Sequence, residues 1–142
     1  MKTNILCIFL IFFLGCQKKD SNSNSDPPLL NTQWNLVSIQ NTKTSEITNV
    51  PGNISESIEF SDSLNIFYVG GMCNGCDGKY TLVGNDSISN LGFVCTLVAC
   101  AYDNWDTLLL TNLNQVFKYK LNNNQLTVYS NNTYNLNFIA KK

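Results

Sequence analysis

The sequence predicts an α+β fold, mainly antiparallel β-sheet (barrel-like or strongly curved) with one packed helix. Three observations carry that prediction. Short runs rich in β-branched and aromatic residues alternate apolar with polar positions, the period of a half-buried strand. Turn-forming clusters such as Gly84-Asn85-Asp86 and Asn122-Asn123-Asn124 separate them. One stretch, Asp103 to Gln115, instead places Trp105, Leu108, Leu109 and Leu113 at helical spacing, with Asp103 as N-cap.

Composition narrows the function. Charged residues make up 13% of the chain and the formal net charge is -1, so the sequence carries no electrostatic footprint for nucleic acid. It contains no histidine, which removes the usual general base, the histidine triads and every histidine-containing metal site. The carboxylates Glu56, Glu59, Asp103 and Asp106 show no spacing that suggests a catalytic dyad. The sequence therefore predicts a protein that is not an enzyme, with no cofactor and no bound metal.

Residues 1 to 16 begin with Lys2, continue through an apolar run from Ile5 to Leu14, and end on Gly15-Cys16. The run is too short for a transmembrane helix, which needs about 20 residues. Phe13-Leu14-Gly15-Cys16 resembles a bacterial lipobox, with an unusual Phe at its first position. Cleavage after Gly15 and acylation of Cys16 are expected, giving more than one chain and hence a stable anchor. Cys7 leaves with the leader. Residues 17 to 28 (QKKDSNSNSDPP) offer nothing to bury and read as a flexible tether, leaving residues 29 to 142 as one folded domain. The expected location is the cell envelope, with the outer membrane as destination.

Within the domain, Leu29 to Gln40 sets Trp34, Leu36 and Ser38 against Asn35, Val37 and Ile39, a strand with one buried face. Residues 41 to 55 read as a loop around Pro51-Gly52. Ser57 to Phe60 and Leu64 to Val69 form a hairpin about Ser61-Asp62-Ser63, and Lys79 to Val83 with Ser87 to Val94 form a second. After the helix, Val116 to Leu121, Gln125 to Ser130 and Thr133 to Ala140 close the chain as a meander. Phe117, Tyr119 and Leu121 are expected on one face, with Lys118 and Lys120 on the other. Trp34, Trp105, Leu109, Leu113 and Phe138 are expected in one core.

Several of these residues resemble the META domain, found in bacterial envelope lipoproteins. Cys73-Asn74 followed by Gly78-x-Tyr80 is similar to that family's CN-x-x-x-G-x-Y segment, and Thr96-x-x-Ala99-Cys100 to its T-x-x-A-C segment. Leu109, Leu113, Val116, Tyr119, Leu126 and Leu136-Asn137-Phe138 match downstream positions, while upstream only Trp34 and the Phe60 region fit. The resemblance implies a small antiparallel β structure carrying one helix, and a role in envelope integrity or stress tolerance. Cys76 and Cys95 depart from the family pattern.

Export implies an oxidising compartment, where the four cysteines at 73, 76, 95 and 100 allow three disulfide pairings. The resemblance pairs Cys73 with Cys100, leaving the extra Cys76 and Cys95 for each other. That nesting suits the open ends of the hairpin at 79 to 94. A four-cysteine zinc site is disfavoured by the wide Cys95-x4-Cys100 spacing, and a redox Cys-x-x-Cys by the strand that follows Cys76.

The leading functional expectation is a lipid-anchored envelope protein with a binding or structural role, whose partners are the membrane and an envelope protein or small ligand. Two alternatives stand beside it. Asn31-x-x-Trp34 ahead of a strand-rich domain resembles the opening of lipocalin-like carriers of one apolar ligand. The other alternative is an inhibitor of an envelope enzyme, cell-wall or proteolytic, that acts through the stapled loop at 70 to 78.

Overall fold

The computed structural model describes residues 28–71, 73–96, 98 and 103–142. In chain order the elements are β1 (Gln33–Asn41), β2 (Ile47–Asn49), β3 (Ser57–Ser61), β4 (Ile66–Gly70), β5 (Cys76–Val83), β6 (Ser87–Cys95), α1 (Asp103–Leu113), β7 (Val116–Asn122), β8 (Gln125–Ser130) and β9 (Tyr134–Ala140). Every strand pairing is antiparallel, and β1 also pairs with β9, so eight strands close into a barrel with α1 as the helix among the described residues. β2 lies on β1 beside β3, so the expected loop at 41–55 is in part a strand.

β1 closes the ring because it is shared. One edge takes β9 along its length, while the other takes β3 at Gln33–Asn35 and β2 at Ser38–Gln40. Between those two segments the register slips at Leu36/Ser38, leaving Val37 as an extra residue, 41% exposed. Such a bulge reverses the sides taken by everything after it. Ile39 therefore enters the core opposite Leu136, correcting the expected face on which Ser38 sat with Trp34. β7 repeats the device at Val116/Lys118, which leaves Phe117 half exposed rather than on the inward face with Tyr119 and Leu121.

Turn chemistry sets the hairpins. Gly84 (φ 62) opens the three-residue β5–β6 turn and Asn123 (φ 54) the β7–β8 turn, as expected of residues that tolerate the left-handed region. The β3–β4 turn places Leu64 (φ 64) and Asn65 (φ 52) there as well. Leu64, expected to start a strand, is instead a turn residue pushed 78% into solvent.

The core fills the barrel. Trp34, Ile58, Leu109, Leu126, Val128, Leu136 and Phe138 are fully buried, and the Trp34 indole N–H donates to the Leu29 carbonyl at 3.1 Å. α1 packs on β8 and β9, ending at Leu113 rather than Gln115. Leu109 and Leu113 join the core as expected, whereas Trp105 lies half-buried against it. Buried Asn112 ties the helix to the sheet: its amide donates to the Leu108 carbonyl (2.7 Å), and its oxygen accepts from the Tyr134 N–H (2.9 Å). The thinnest join is β6–β7, held by the register pair Ser87/Lys118, the Tyr119 N–H to the Asp86 carbonyl (2.8 Å) and the ion pair Lys118–Asp86 (2.7 Å). The hydrogen bond and charge of Lys118 hold the Asp86 carboxyl below its ordinary value.

Candidate functional site

The described part of the cysteine-rich stretch, residues 73–76, 95, 96 and 98, forms a cap over one end of the barrel, where β3 and β5 start and β4 and β6 finish. Cys76 and Cys95 are facing residues at the last pair of the β5–β6 ladder, with Cα atoms 4.1 Å apart, and they are joined by a disulfide. The expected strand began at Lys79. β5 begins at Cys76 because the β4 edge pairs it from Val69 onward. Cys73 is also disulfide-bonded, and its expected partner Cys100 lies outside the described residues. Cys16 and the leader and tether at 1–27 lie outside them too. With Cys76 bonded to Cys95, a Cys73–Cys76 redox pair is excluded.

Asn74 organises the cap. Its backbone N–H and side-chain amide both donate to Asp106 Oδ2, at 3.1 and 3.2 Å. Its side-chain oxygen accepts from the Val98 N–H (2.9 Å) and the Thr96 hydroxyl (3.3 Å). The Thr96 N–H donates to the Gly75 carbonyl at 3.0 Å, and the Gly75 N–H donates to the Thr96 hydroxyl at 3.2 Å. One amide side chain thus ties the 73–76 turn to Thr96, to Val98 and to the first turn of α1. This gives the Cys-Asn and Thr positions of the sequence pattern a structural job.

Two carboxylates converge beneath this turn. A Cβ at Gly71 would stand 2.8 Å from Asp106 Oδ1 and would collide with Glu56 Oε2. Glu56 and Asp106 are 3% and 5% exposed, so both lie under the cap. Fifty positions separate them in the chain, and no local spacing could have revealed the pair. Asp106 spends one oxygen on Asn74, which makes Asp106 a fastening for the turn. Among the described residues no group of three metal-ligating side chains could hold an ion.

Gly78 explains the next position of the pattern. A Cβ there would lie 2.5 Å from the Gly92 carbonyl, 2.6 Å from Phe93 Cβ and 2.8 Å from the Phe67 ring. These are backbone and ring-edge atoms that cannot swing aside, brought close by a β6 bulge that holds Gly92 at φ 103. Gly78→Ala is expected to lower stability by about 1–3 kcal/mol, measured by urea unfolding. A loss below about 0.5 kcal/mol would mean that β5 and β6 part without cost.

Tyr80 stacks edge-on against Phe60 and donates its hydroxyl to the Ser61 carbonyl at 2.8 Å. Burial, and then the Asp62 carboxylate, raise its pKa above the ordinary 10.0. The fold therefore binds the phenolic proton more tightly than the unfolded chain does. The resulting stability is fully present below about pH 10 and is lost as pH rises through the folded value. Tyr80→Phe is expected to cost about 1 kcal/mol at neutral pH, and to shrink the alkaline decline in stability. A decline as steep as in the parent protein would assign it to other groups.

The barrel interior is packed. The cavity among Phe60, Phe67, Tyr80, Ile88, Leu113 and Val116 measures about 10 Å³, room for about one water, where a carried ligand needs about 300 Å³ or more. The outer wall holds larger depressions. One of about 340 Å³ is lined by Gln33, Ser57, Glu59, Tyr68, Gly70 and Asp77. Among the described residues no helix is long and apolar enough to cross a membrane.

The META domain profile matches residues 27–142. No curated protein matches the chain. Among solved structures, the fold is similar to the NMR structure of a protein from Burkholderia xenovorans at TM-score 0.64 and 18% identity, covering 80% of this chain and 84% of that one. It is also similar to the crystal structure of a DUF4847-family protein from Bacteroides vulgatus, with TM-score 0.58, 16% identity and coverage of 78% and 92%. At these identities the likeness is one of fold.

Proposed function

The chain belongs to the META-domain family, and from that premise we propose that it is a lipid-anchored envelope protein, not an enzyme, whose barrel binds another envelope component or braces one. The observation that carries the binding reading is the packed core: the cavity beside Phe60 and Tyr80 measures about 10 Å³, too small for a ligand, which leaves the outer wall and the cap for contact with a partner. The absence of histidine and the use of Asp106 to hold Asn74 support a non-catalytic role. The leader supports the anchor: Lys2, a short apolar run and Gly15-Cys16 precede a polar tether, and acylation of Cys16 would hold the barrel at the membrane, with the outer membrane as destination. A place in envelope stress tolerance follows from the family resemblance.

Mass spectrometry of the protein from its native envelope tests the anchor. The expected result is an acylated N-terminus at Cys16, with Cys16→Ser released from the membrane fraction. An unmodified N-terminus elsewhere, or membrane retention of Cys16→Ser, would sink the lipoprotein reading. Capture of the lipidated protein from cross-linked envelopes then identifies what it holds.

A further inference from the structure

The 340 Å³ depression on the outer wall has a defined chemistry. The register places Gln33 opposite Glu59, Glu59 opposite Tyr68, Tyr68 opposite Asp77, and Asp77 opposite Val94. These residues form one outward row across β1, β3, β4, β5 and β6, because their neighbours Trp34, Ile58, Phe67, Val69 and Cys76 point into the core. At its centre Tyr68 is 48% exposed. Carboxylates stand on both sides of it, one strand away, and neither is in an ion pair among the described residues. Two cations lie near without pairing with these carboxylates: Lys79 is the next outward residue on β5 after Asp77, and the Lys141 ammonium donates to Gln33 Oε1 at 2.9 Å. Gly70, which offers no side chain, and Ser57, whose hydroxyl donates to the Gly70 carbonyl at 3.2 Å, lie along one margin of the row and keep it low.

We infer that this row is a docking site for an arginine-bearing extended segment of a partner protein. A guanidinium is planar, so it can lie on the exposed Tyr68 face while its N–H fork reaches Glu59 on one side and Asp77 on the other. The chain itself contains no arginine, all nine of its cationic side chains being lysine, so the group must come from another protein. The length of the row favours a peptide over a free amine. Five strands span about 19 Å, the reach of about six extended residues, and Tyr68 alone would serve a small cation. The far end is Val94, 70% exposed and two strands from Tyr68. An apolar side chain about three residues from the arginine would cover it. Gln33, at the other end, donates its amide to Ser57 (3.1 Å) and accepts from Lys141, and it borders the peptide on the Glu59 side.

The inference deepens the binding reading above, and the two fail separately. The full chain is titrated by NMR with a short acetylated peptide carrying one arginine and a valine about three residues on. The expected result is shift changes centred on Glu59, Tyr68, Asp77 and Val94, with affinity falling as salt rises. Tyr68→Ala is expected to weaken binding about fivefold or more, as is the size-conserving pair Glu59→Gln with Asp77→Asn. Lys120→Gln, on β7 outside the row, should leave it unchanged. Shift changes centred elsewhere, equal binding by the variants, no binding at millimolar peptide, or free arginine amide binding as well as the peptide would each overturn the site. If Tyr68→Ala loses the peptide yet captures the same envelope partners as the parent, the row is not where those partners dock. The envelope role would survive that result.

Discussion

Leu109→Ala is expected to cost about 2–5 kcal/mol of folding stability. Leu109 is 0% exposed, on the face of α1 that packs against β8 and β9. The helix sits in the sequence between β6 and β7, the pair with the thinnest join. Removing the leucine leaves a void in the core cluster, whose members on β8 and β9, Leu126, Val128 and Leu136, are already at full burial, so little can move in to fill it. A domain of ordinary stability has about 5–15 kcal/mol in hand, so the loss takes a large share. Urea unfolding with an unchanged slope is the measurement. Thr107→Ala, on the exposed face of the same helix, is the control and should stay within about 0.5 kcal/mol. If the two variants cost the same, the helix face is not core and must be considered as a binding surface.

The fold class was legible because alternation and helical spacing are local signals. Tyr119 and Leu121 in β7, and Leu136 and Phe138 in β9, follow the period of two that the sequence shows. What misled was the bulge. Val37 and Phe117 are extra residues in otherwise regular strands, and nothing in Leu36-Val37-Ser38 or Val116-Phe117-Lys118 announces that the period breaks there. The β1 bulge shows only in its pairing with β9, at the far end of the chain, and the β7 bulge only in its pairing with the next strand, β8. Leu64 misled for a related reason: a leucine in the left-handed region is uncommon, and the turn that holds it is set by the pairing of Ser61 with Ile66.

The cap was half legible. Asn74, Gly78 and Tyr80 stood out through the pattern they share with the META domain, and the structure supplies the reason for each in a hydrogen bond or a missing Cβ. Glu56, Asp106 and Asn112 did not stand out. Their roles depend on which distant segments the barrel brings together, and an acidic residue beneath a turn looks in sequence like any solvated one. The row through Tyr68 is of the same kind, since it runs across the strands and is invisible along the chain.

Replacing both Cys76 and Cys95 with alanine is expected to destabilise the protein by about 3 kcal/mol without changing its fold. The bond joins residues 19 apart, and closing a loop of that size restricts the unfolded chain by roughly this amount. The folded state loses less, because the β5–β6 ladder runs on from Asp77/Val94 to Val83/Ser87 and holds the register without it. Both cysteines are changed together so that no free thiol can capture Cys73. The melting temperature should fall by about 10 °C, with native circular dichroism below the transition. Two results would contradict the account. An unchanged melting temperature would mean that the unfolded chain is already held compact here. Loss of folded protein altogether would mean that the cap cannot form unless this bond first brings Gly75 to Thr96, whose paired hydrogen bonds lie one residue beyond it. Between these limits, the size of the loss says how much of the cap's order comes from the bond and how much from Asn74.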